Sequence, residues 1–144
     1  MILGIEHTAL SVPDIDRAIA FYCDVLGFTL EWRAGWDKGA KPLDDLVGFS
    51  DSAAKVAMIR LGDTRIEIFE FEGVAPGSHD QDRPVSAHGI THIGLLVSGV
   101  EDEYERLKTA GVRFNAPPAD VGGGSFCAYG RDPFGNFLEI REQR

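Results

Sequence analysis

The stretch HTALSV at residues 7–12 recurs as HIGLLV at residues 92–97, and this repeat decides the fold that we expect. A second match follows in the same order, with IEIFE at 66–70 and LEIRE at 138–142. An internal repeat of this kind indicates two equivalent modules, which can place equivalent residues around a shared pseudo-twofold axis. The repeat therefore predicts the architecture before any single element is assigned.

Each half of the chain reads as one strand, one helix and three further strands. In the first half, Pro13 and Asp14 begin an apolar stripe at helical spacing, and Gly27 ends it. In the second half, the amphipathic run at 101–111 is the matching helix, and it also ends in a glycine. This order of elements predicts an α+β fold of two tandem βαβββ modules.

A polar stretch rich in Gly, Pro and Asp marks the boundary between the modules. We expect a single domain over 1–144, with module one over about 1–72, a linker over 73–88 and module two over about 89–144. Residues 35–54 predict a long loop with one helical turn, and the second module has no loop of equal length. The modules are therefore similar without being identical.

Composition excludes several classes of function. The chain has 144 residues, is 44% hydrophobic and carries a formal net charge of -9, so it lacks the basic footprint that nucleic acids or anionic membranes require. No run reaches the ~18 apolar residues of a membrane span. The start of the chain lacks the pattern of a signal peptide, and the two cysteines match no zinc spacing. We expect a cytoplasmic protein whose partner is a small molecule.

The repeat also aligns four side chains that can bind a metal ion. It places one histidine on the first strand and one glutamate on the last strand of each module, and these residues are His7, Glu67, His92 and Glu139. Two neutral imidazoles and two carboxylates suit a divalent ion such as Zn, Ni, Co, Mn or Fe. Four ligands leave room for water or substrate oxygens, which is the property of a catalytic site.

The segment RIEIFEF at 65–71 contains two glutamates that point to opposite faces of its strand. Glu67 shares a face with Phe69, whereas Glu70 shares a face with Ile68, because strand side chains alternate. Glu67 is the one that aligns with Glu139 in the second module. We therefore expect Glu67, and not Glu70, to face the cavity.

Four segments together resemble the vicinal oxygen chelate superfamily, and they cover nearly the whole chain. They are HTALSVPDIDRAIAFYCDVLGF, GDTRIEIFE, GITHIGLLV and RDPFGNFLEIRE. The superfamily includes glyoxalase I, methylmalonyl-CoA epimerase, extradiol dioxygenases, and fosfomycin- and bleomycin-resistance proteins. The resemblance implies a mixed sheet that is cupped around a metal site. Carried over position by position, the implied ligand set of two histidines and two glutamates is most like that of glyoxalase I.

The resemblance implies a divalent-metal-dependent lyase or isomerase. One ion would bind neighbouring oxygens of a small carbonyl substrate and stabilise an enolate or enediolate, with Glu139 or Glu67 as general base. Ser11 stands where bacterial glyoxalase I enzymes tend to carry an arginine that holds glutathione, so we do not expect glutathione specificity. The candidate apolar walls of the substrate pocket are Trp32, Trp36, Phe69 and Phe137.

Two other functions fit the same residues. A ferrous extradiol-type dioxygenase would use His7, His92 and Glu139 as a facial triad, with Glu67 as a spectator. A small-molecule binding or resistance protein would keep the fold without catalysis. Family members of this size commonly form homodimers, which we expect here, and the site can be built within one chain or across two.

Overall fold

The computed structural model describes residues 1–72 and 82–144, which fall into two compact units. The first unit is Met1–Gly77 and the second is Ser78–Arg144. Each contains a mixed sheet with one longer helix segment packed on it. None of the helices in the described ranges has the length and apolar character that a membrane crossing requires.

The first unit has a four-stranded sheet in the order β1-β4-β3-β2. Its strands are β1 (Thr8–Ser11), β2 (Thr29–Trp36), β3 (Ala53–Leu61) and β4 (Thr64–Glu72). Strand β1 runs parallel to β4, and the other neighbouring strands are antiparallel. Helix α1 (Ile15–Ala20) continues as a π-helical segment at Phe21–Val25, and α2 (Lys41–Val47) lies between β2 and β3 in sequence.

The helical segment begins at the predicted position and ends before Gly27 as predicted, although α1 itself ends at Ala20 and the π-helical continuation was not predicted. The Asp14 side chain accepts a hydrogen bond from the backbone N–H of Arg17 at 2.9 Å, which satisfies one of the free donors of the first turn. Ile15 and Ala18 are fully buried against the sheet. Gly27 has φ +81, a left-handed conformation that terminates the helical segment at low cost.

The second unit repeats the topology of the first, with the sheet order β5-β9-β8-β6. Its elements are β5 (His92–Leu96), α3 (Val100–Thr109), β6 (Arg113–Phe114), β7 (Ala119–Gly122), β8 (Ser125–Arg131) and β9 (Phe137–Gln143). Strand β5 is parallel to β9, as β1 is to β4. The α+β prediction of two βαβββ modules is confirmed.

The structure differs from the sequence-based prediction at β7 and at residues 35–54. Strand β7 was not predicted, and it pairs with β8 beside the repeated part of the sheet. The predicted loop at 35–54 is shorter, because its two ends belong to β2 and β3 and Lys41–Val47 forms α2. Of the predicted linker at 73–88, residues 73–81 lie outside the described residues, and residues 82–88 contain turns without helix or strand.

The last strand of each unit has buried apolar side chains on the face toward the helix and a glutamate on the opposite face. Ile66 and Ile68 of β4 are buried on the side of α1, and Glu67 points to the opposite face. In β9, Leu138 is buried on the side of α3, and Glu139 points away from it. We call the face opposite the helix the site face of each unit.

A second glutamate on each of these strands holds the helix. The carboxylate of Glu70 accepts a hydrogen bond from the backbone N–H of Ile15 at 2.8 Å. The carboxylate of Glu142 accepts from Gly99 N at 2.7 Å and from Val100 N at 3.3 Å. Free backbone donors and the helix dipole both favour a carboxylate at a helix start. The two glutamates of RIEIFEF therefore have different tasks, and Glu70 fixes the helix.

Candidate metal centre

In the first unit, His7 and Glu67 lie side by side on the site face. The parallel register places Ala9 opposite Glu67. His7 directly precedes β1, one position outside the strand on which the sequence predicted it, and its side chain reaches Glu67. Nε2 of His7 is 3.3 Å from Oε2 of Glu67. The two side chains are 36% and 18% exposed, so both are partly open to solvent.

The second unit repeats this pair at the same distance. Gly94 lies opposite Glu139, and His92 precedes Gly94 by two residues. Nε2 of His92 is 3.3 Å from Oε2 of Glu139, with exposures of 31% and 12%. A Cβ atom at Gly94 would lie 3.6 Å from Oε2 of Glu139, so the small residue leaves space around this carboxylate.

The other ring nitrogen of each histidine is held by the residue before it. Nδ1 of His7 contacts the carboxylate of Glu6, and Nδ1 of His92 lies 2.9 Å from the hydroxyl of Thr91. The hydrogen bond to His7 also lowers the pKa of Glu6. A metal-binding histidine usually has its second nitrogen fixed in this way, which orients the ring and selects the tautomer.

The spacing of each pair fits two ligands of one ion. Two donor atoms that each lie about 2.0–2.1 Å from a shared ion at a tetrahedral angle are about 3.3–3.4 Å apart. Both observed Nε2–Oε2 distances are 3.3 Å. Within residues 1–72 and 82–144, no group of three or more His, Cys, Asp or Glu side chains has metal-binding spacing.

A polar cleft of about 680 Å³ opens beside the first pair. Its lining residues are Glu6, His7, Glu31, Trp32, Met58, Arg65 and Glu67. The guanidinium of Arg65 is paired with two carboxylates, since Nε lies 2.8 Å from Glu31 Oε2 and Nη1 lies 3.2 Å from Glu6 Oε1. The hydrogen bond to Glu31 is the main cause of the raised pKa of Arg65.

A mainly apolar cleft of about 410 Å³ lies beside His92 in the second unit. Its lining residues are Val85, Thr91, His92, Asn115, Ala116, Pro117, Ala119, Val121, Cys127, Ala128 and Tyr129. Tyr129 lies opposite Glu139 in the sheet, and its ring meets the His92 ring edge-on at 5.2 Å. Burial first, and then the carboxylate of Glu139, raise the pKa values of Tyr129 and Cys127.

The four candidate pocket residues occupy different environments. Trp32 is 42% exposed and lines the cleft of the first unit. Trp36 and Phe69 pack at 6.4 Å in an aromatic cluster with Phe49 and Phe71, and Trp36 Nε1 donates to Ser52 Oγ at 2.9 Å. Phe137 is 8% exposed beneath the guanidinium of Arg131, 3.8 Å from the ring centroid, and lines neither of these clefts.

Sequence reasoning did not identify Glu6, Thr91, Arg65 or Tyr129 as site residues. Glu6 and Thr91 carried a usable signal, because each is the polar residue directly before a repeated histidine. The position of Tyr129 opposite Glu139 can be recognised only when the strand register across the Asp132–Gly135 turn is known. No repeat signal marks Arg65, because the matching residue of the second unit is Phe137.

Comparison with known proteins assigns the family. A sequence model of the Glyoxalase/Bleomycin resistance protein/Dioxygenase superfamily matches residues 4–140. The chain belongs to this superfamily. Among solved structures, a glyoxalase family protein from Bacillus cereus has a TM-score of 0.88 at 22% identity, over 99% of this chain and 95% of that one. At this identity the likeness shows the fold alone.

The curated superfamily relatives include proteins whose names describe a reaction. A 2-epi-5-epi-valiolone epimerase from an Actinomyces species is 31% identical over 148 residues, covering 96% of this chain and 78% of the relative. A probable lactoylglutathione lyase from Synechocystis is 24% identical over 135 residues, covering 93% and 91%. Both alignments include most of the two repeated modules.

Proposed function

We propose that this protein is a divalent-metal-dependent isomerase or lyase that acts on a small carbonyl compound with neighbouring oxygen atoms. The observation that carries the proposal is the matched His–Glu pair of each unit, with 3.3 Å between Nε2 and Oε2 in both. One ion of Zn, Ni, Co, Mn or Fe is held by His7, Glu67, His92 and Glu139. The units act as one domain, and the pairs meet within one chain or across a homodimer.

The donor set suits proton transfer next to a carbonyl group. When bound, a divalent ion supplies Lewis acidity, which makes a carbon-bound proton beside the carbonyl easier to remove. Glu67 or Glu139 takes that proton and returns it, as a carboxylate general base. The fixed Nδ1 atoms of His7 and His92 keep both imidazoles oriented during this transfer.

The relatives support an isomerase or lyase of this kind. One is named an epimerase and another a probable lactoylglutathione lyase, and both align over more than nine-tenths of this chain. Glutathione is not proposed as the substrate. Ser11 ends strand β1 where an arginine for glutathione is expected, and Arg65 in the nearby cleft is already paired with Glu31 and Glu6.

Proton exchange with solvent tests the proposal. The metal-loaded protein is incubated in D₂O with a panel of 2-hydroxyketones, and the loss of the C–H signal beside each carbonyl is followed by proton NMR. We expect catalysed exchange for at least one compound, reduced about 10²-fold or more in Glu67→Gln or Glu139→Gln. Glu72→Gln is the matched control, because Glu72 is exposed at the end of β4.

Two outcomes contradict this assignment. Oxygen consumption by the ferrous protein, without proton exchange and unaffected by Glu67→Gln, supports the dioxygenase with Glu67 as a spectator. An intact fold that retains no metal ion after purification without chelators supports a binding or resistance protein.

A further inference from the structure

The cleft beside His7 and Glu67 presents polar groups that the ligand pairs do not use. Glu31 and Glu6 both line it, with side chains 24% and 65% exposed. A carboxylate offers about four acceptor positions, so each retains free positions after it has bonded to Arg65 or His7. These oxygen atoms can accept hydrogen bonds from a bound molecule.

The cationic group of this cleft is already neutralised. Among the described residues that line it, Arg65 is the one with a permanent positive charge. Its Nε and Nη2 atoms contact Glu31 at 2.8 and 3.4 Å, and its Nη1 contacts Glu6 at 3.2 Å. An anionic ligand that bonded to the remaining N–H groups of Arg65 would lie close to these two carboxylates, which is unfavourable.

An aromatic ring lies beside these carboxylates because the strand is irregular. Glu31 and Trp32 are adjacent in β2 and would point to opposite faces in a regular strand. The pairing of β2 with β3 shifts between Leu30 and Trp32, and both side chains line the same cleft. Irregularities of this type re-aim a side chain. Trp32 is 42% exposed and offers an apolar surface to a ligand.

We propose that this cleft selects an uncharged carbonyl compound that carries several hydroxyl groups. The hydroxyl groups donate to Glu31 and Glu6, and the C–H face of the compound packs on Trp32. Arg65 has its Nε, Nη1 and Nη2 atoms bonded to these two carboxylates, which disfavours a carboxylate or phosphate group beside it. The inference rests on the proposed function for the carbonyl group alone. The contacts of the hydroxyl groups and of the C–H face are made by the cleft residues and do not depend on it.

Three cyclohexanones separate the effects of hydroxyl groups and of charge. The ligands are 2-keto-myo-inositol, which is uncharged and hydroxylated, 3-dehydroquinate, which adds a carboxylate, and cyclohexanone, which has no hydroxyl group. Their binding is measured by titration calorimetry with metal-loaded and with metal-free protein. We expect 2-keto-myo-inositol to bind at least about tenfold more tightly than cyclohexanone, because a site made for hydroxyl groups rejects analogues that lack them. We expect the same advantage over 3-dehydroquinate, because the carboxylates of the cleft repel its negative charge.

Two isosteric variants test the residues. Glu31→Gln should weaken the binding of 2-keto-myo-inositol and strengthen the binding of 3-dehydroquinate, each about threefold or more. The reason is that the substitution releases Arg65 from one carboxylate. Glu72→Gln, an exposed glutamate at the end of β4, should change neither affinity. Equal affinities, tighter binding of 3-dehydroquinate, or no saturable binding of 2-keto-myo-inositol would overturn the inference. If the proposed function is wrong, the protein should bind no metal ion. The metal-free protein should then still bind 2-keto-myo-inositol more tightly than the other two compounds.

Discussion

The two units share a matched His–Glu pair and a glutamate that holds the helix, and they differ in the residues that line the neighbouring clefts. Each has a His–Glu pair at 3.3 Å and a second glutamate at the start of its helix. Opposite the pair glutamate, however, the first unit has Met58 and the second has Tyr129. The cleft of the first unit is polar, and that of the second is mainly apolar. The repeat therefore preserves the spacing of the His–Glu pair, whereas the residues that lie beside the pair differ between the two units.

The largest effect on stability is expected where the shared helix contact is broken. Glu70→Ala removes the partly buried acceptor of Ile15 N and should lower the free energy of unfolding by about 1–2 kcal/mol in urea titration. Glu70→Gln keeps an acceptor oxygen and should recover part of this loss. Glu72→Ala is the control on the same strand, and an equal loss there would show that the helix contact is not the cause.

A smaller effect is expected at the position where the units differ. Tyr129→Phe removes the hydroxyl whose pKa is raised by burial and then by the carboxylate of Glu139, and should weaken metal binding about tenfold, as is usual for groups beside a ligand. Met58→Leu, at the matching position of the first unit, should leave the metal affinity unchanged. Competition with a chromophoric chelator measures both constants. Equal losses in the two variants would show that general packing, and not the hydroxyl, sets the affinity.

The smallest effect is a pH dependence of the second helix contact. Hydrogen bonding from Gly99 N is the main cause of the lowered pKa of Glu142, whose ordinary value is 4.5. Because the folded-state pKa is the lower one, the stabilisation is fully present above pH 4.5 and is lost as the pH falls through the lowered value. Thermal unfolding of Glu142→Gln should show a shallower decline than wild type below pH 4.5. Parallel curves for the two proteins would contradict this linkage.

The sequence was sufficient for the features that its repeat encodes. The order of the repeated elements, the start of α1 and the pairing of each first strand with its glutamate strand could be predicted from matched segments such as HTALSV and HIGLLV. Strand β7 was missed because its end is glycine-rich, and Gly122 has φ +96, which a regular strand does not show. Contacts that depend on register, such as Tyr129 with Glu139, require the structure.

The region 35–54 shows why strand ends were misplaced. Gly35 reads as a loop residue, yet it pairs with Lys55 in the sheet. A Cβ atom at Gly35 would lie 2.5 Å from the carbonyl oxygen of Ala54, so the close approach of the two backbones requires glycine. A glycine that permits strand packing looks in the sequence like one that breaks a strand.

Metal stoichiometry tests most directly whether the two matched pairs serve one ion. The metal content per chain is measured by mass spectrometry for the wild-type protein, Glu67→Gln, Glu139→Gln and the control Glu72→Gln, each purified without chelators. We expect about one divalent ion per chain in the wild type and the control, and a large loss in both ligand variants, because removing one of four ligands weakens a centre strongly. Unchanged metal content in either Glu67→Gln or Glu139→Gln would contradict a centre built from both units.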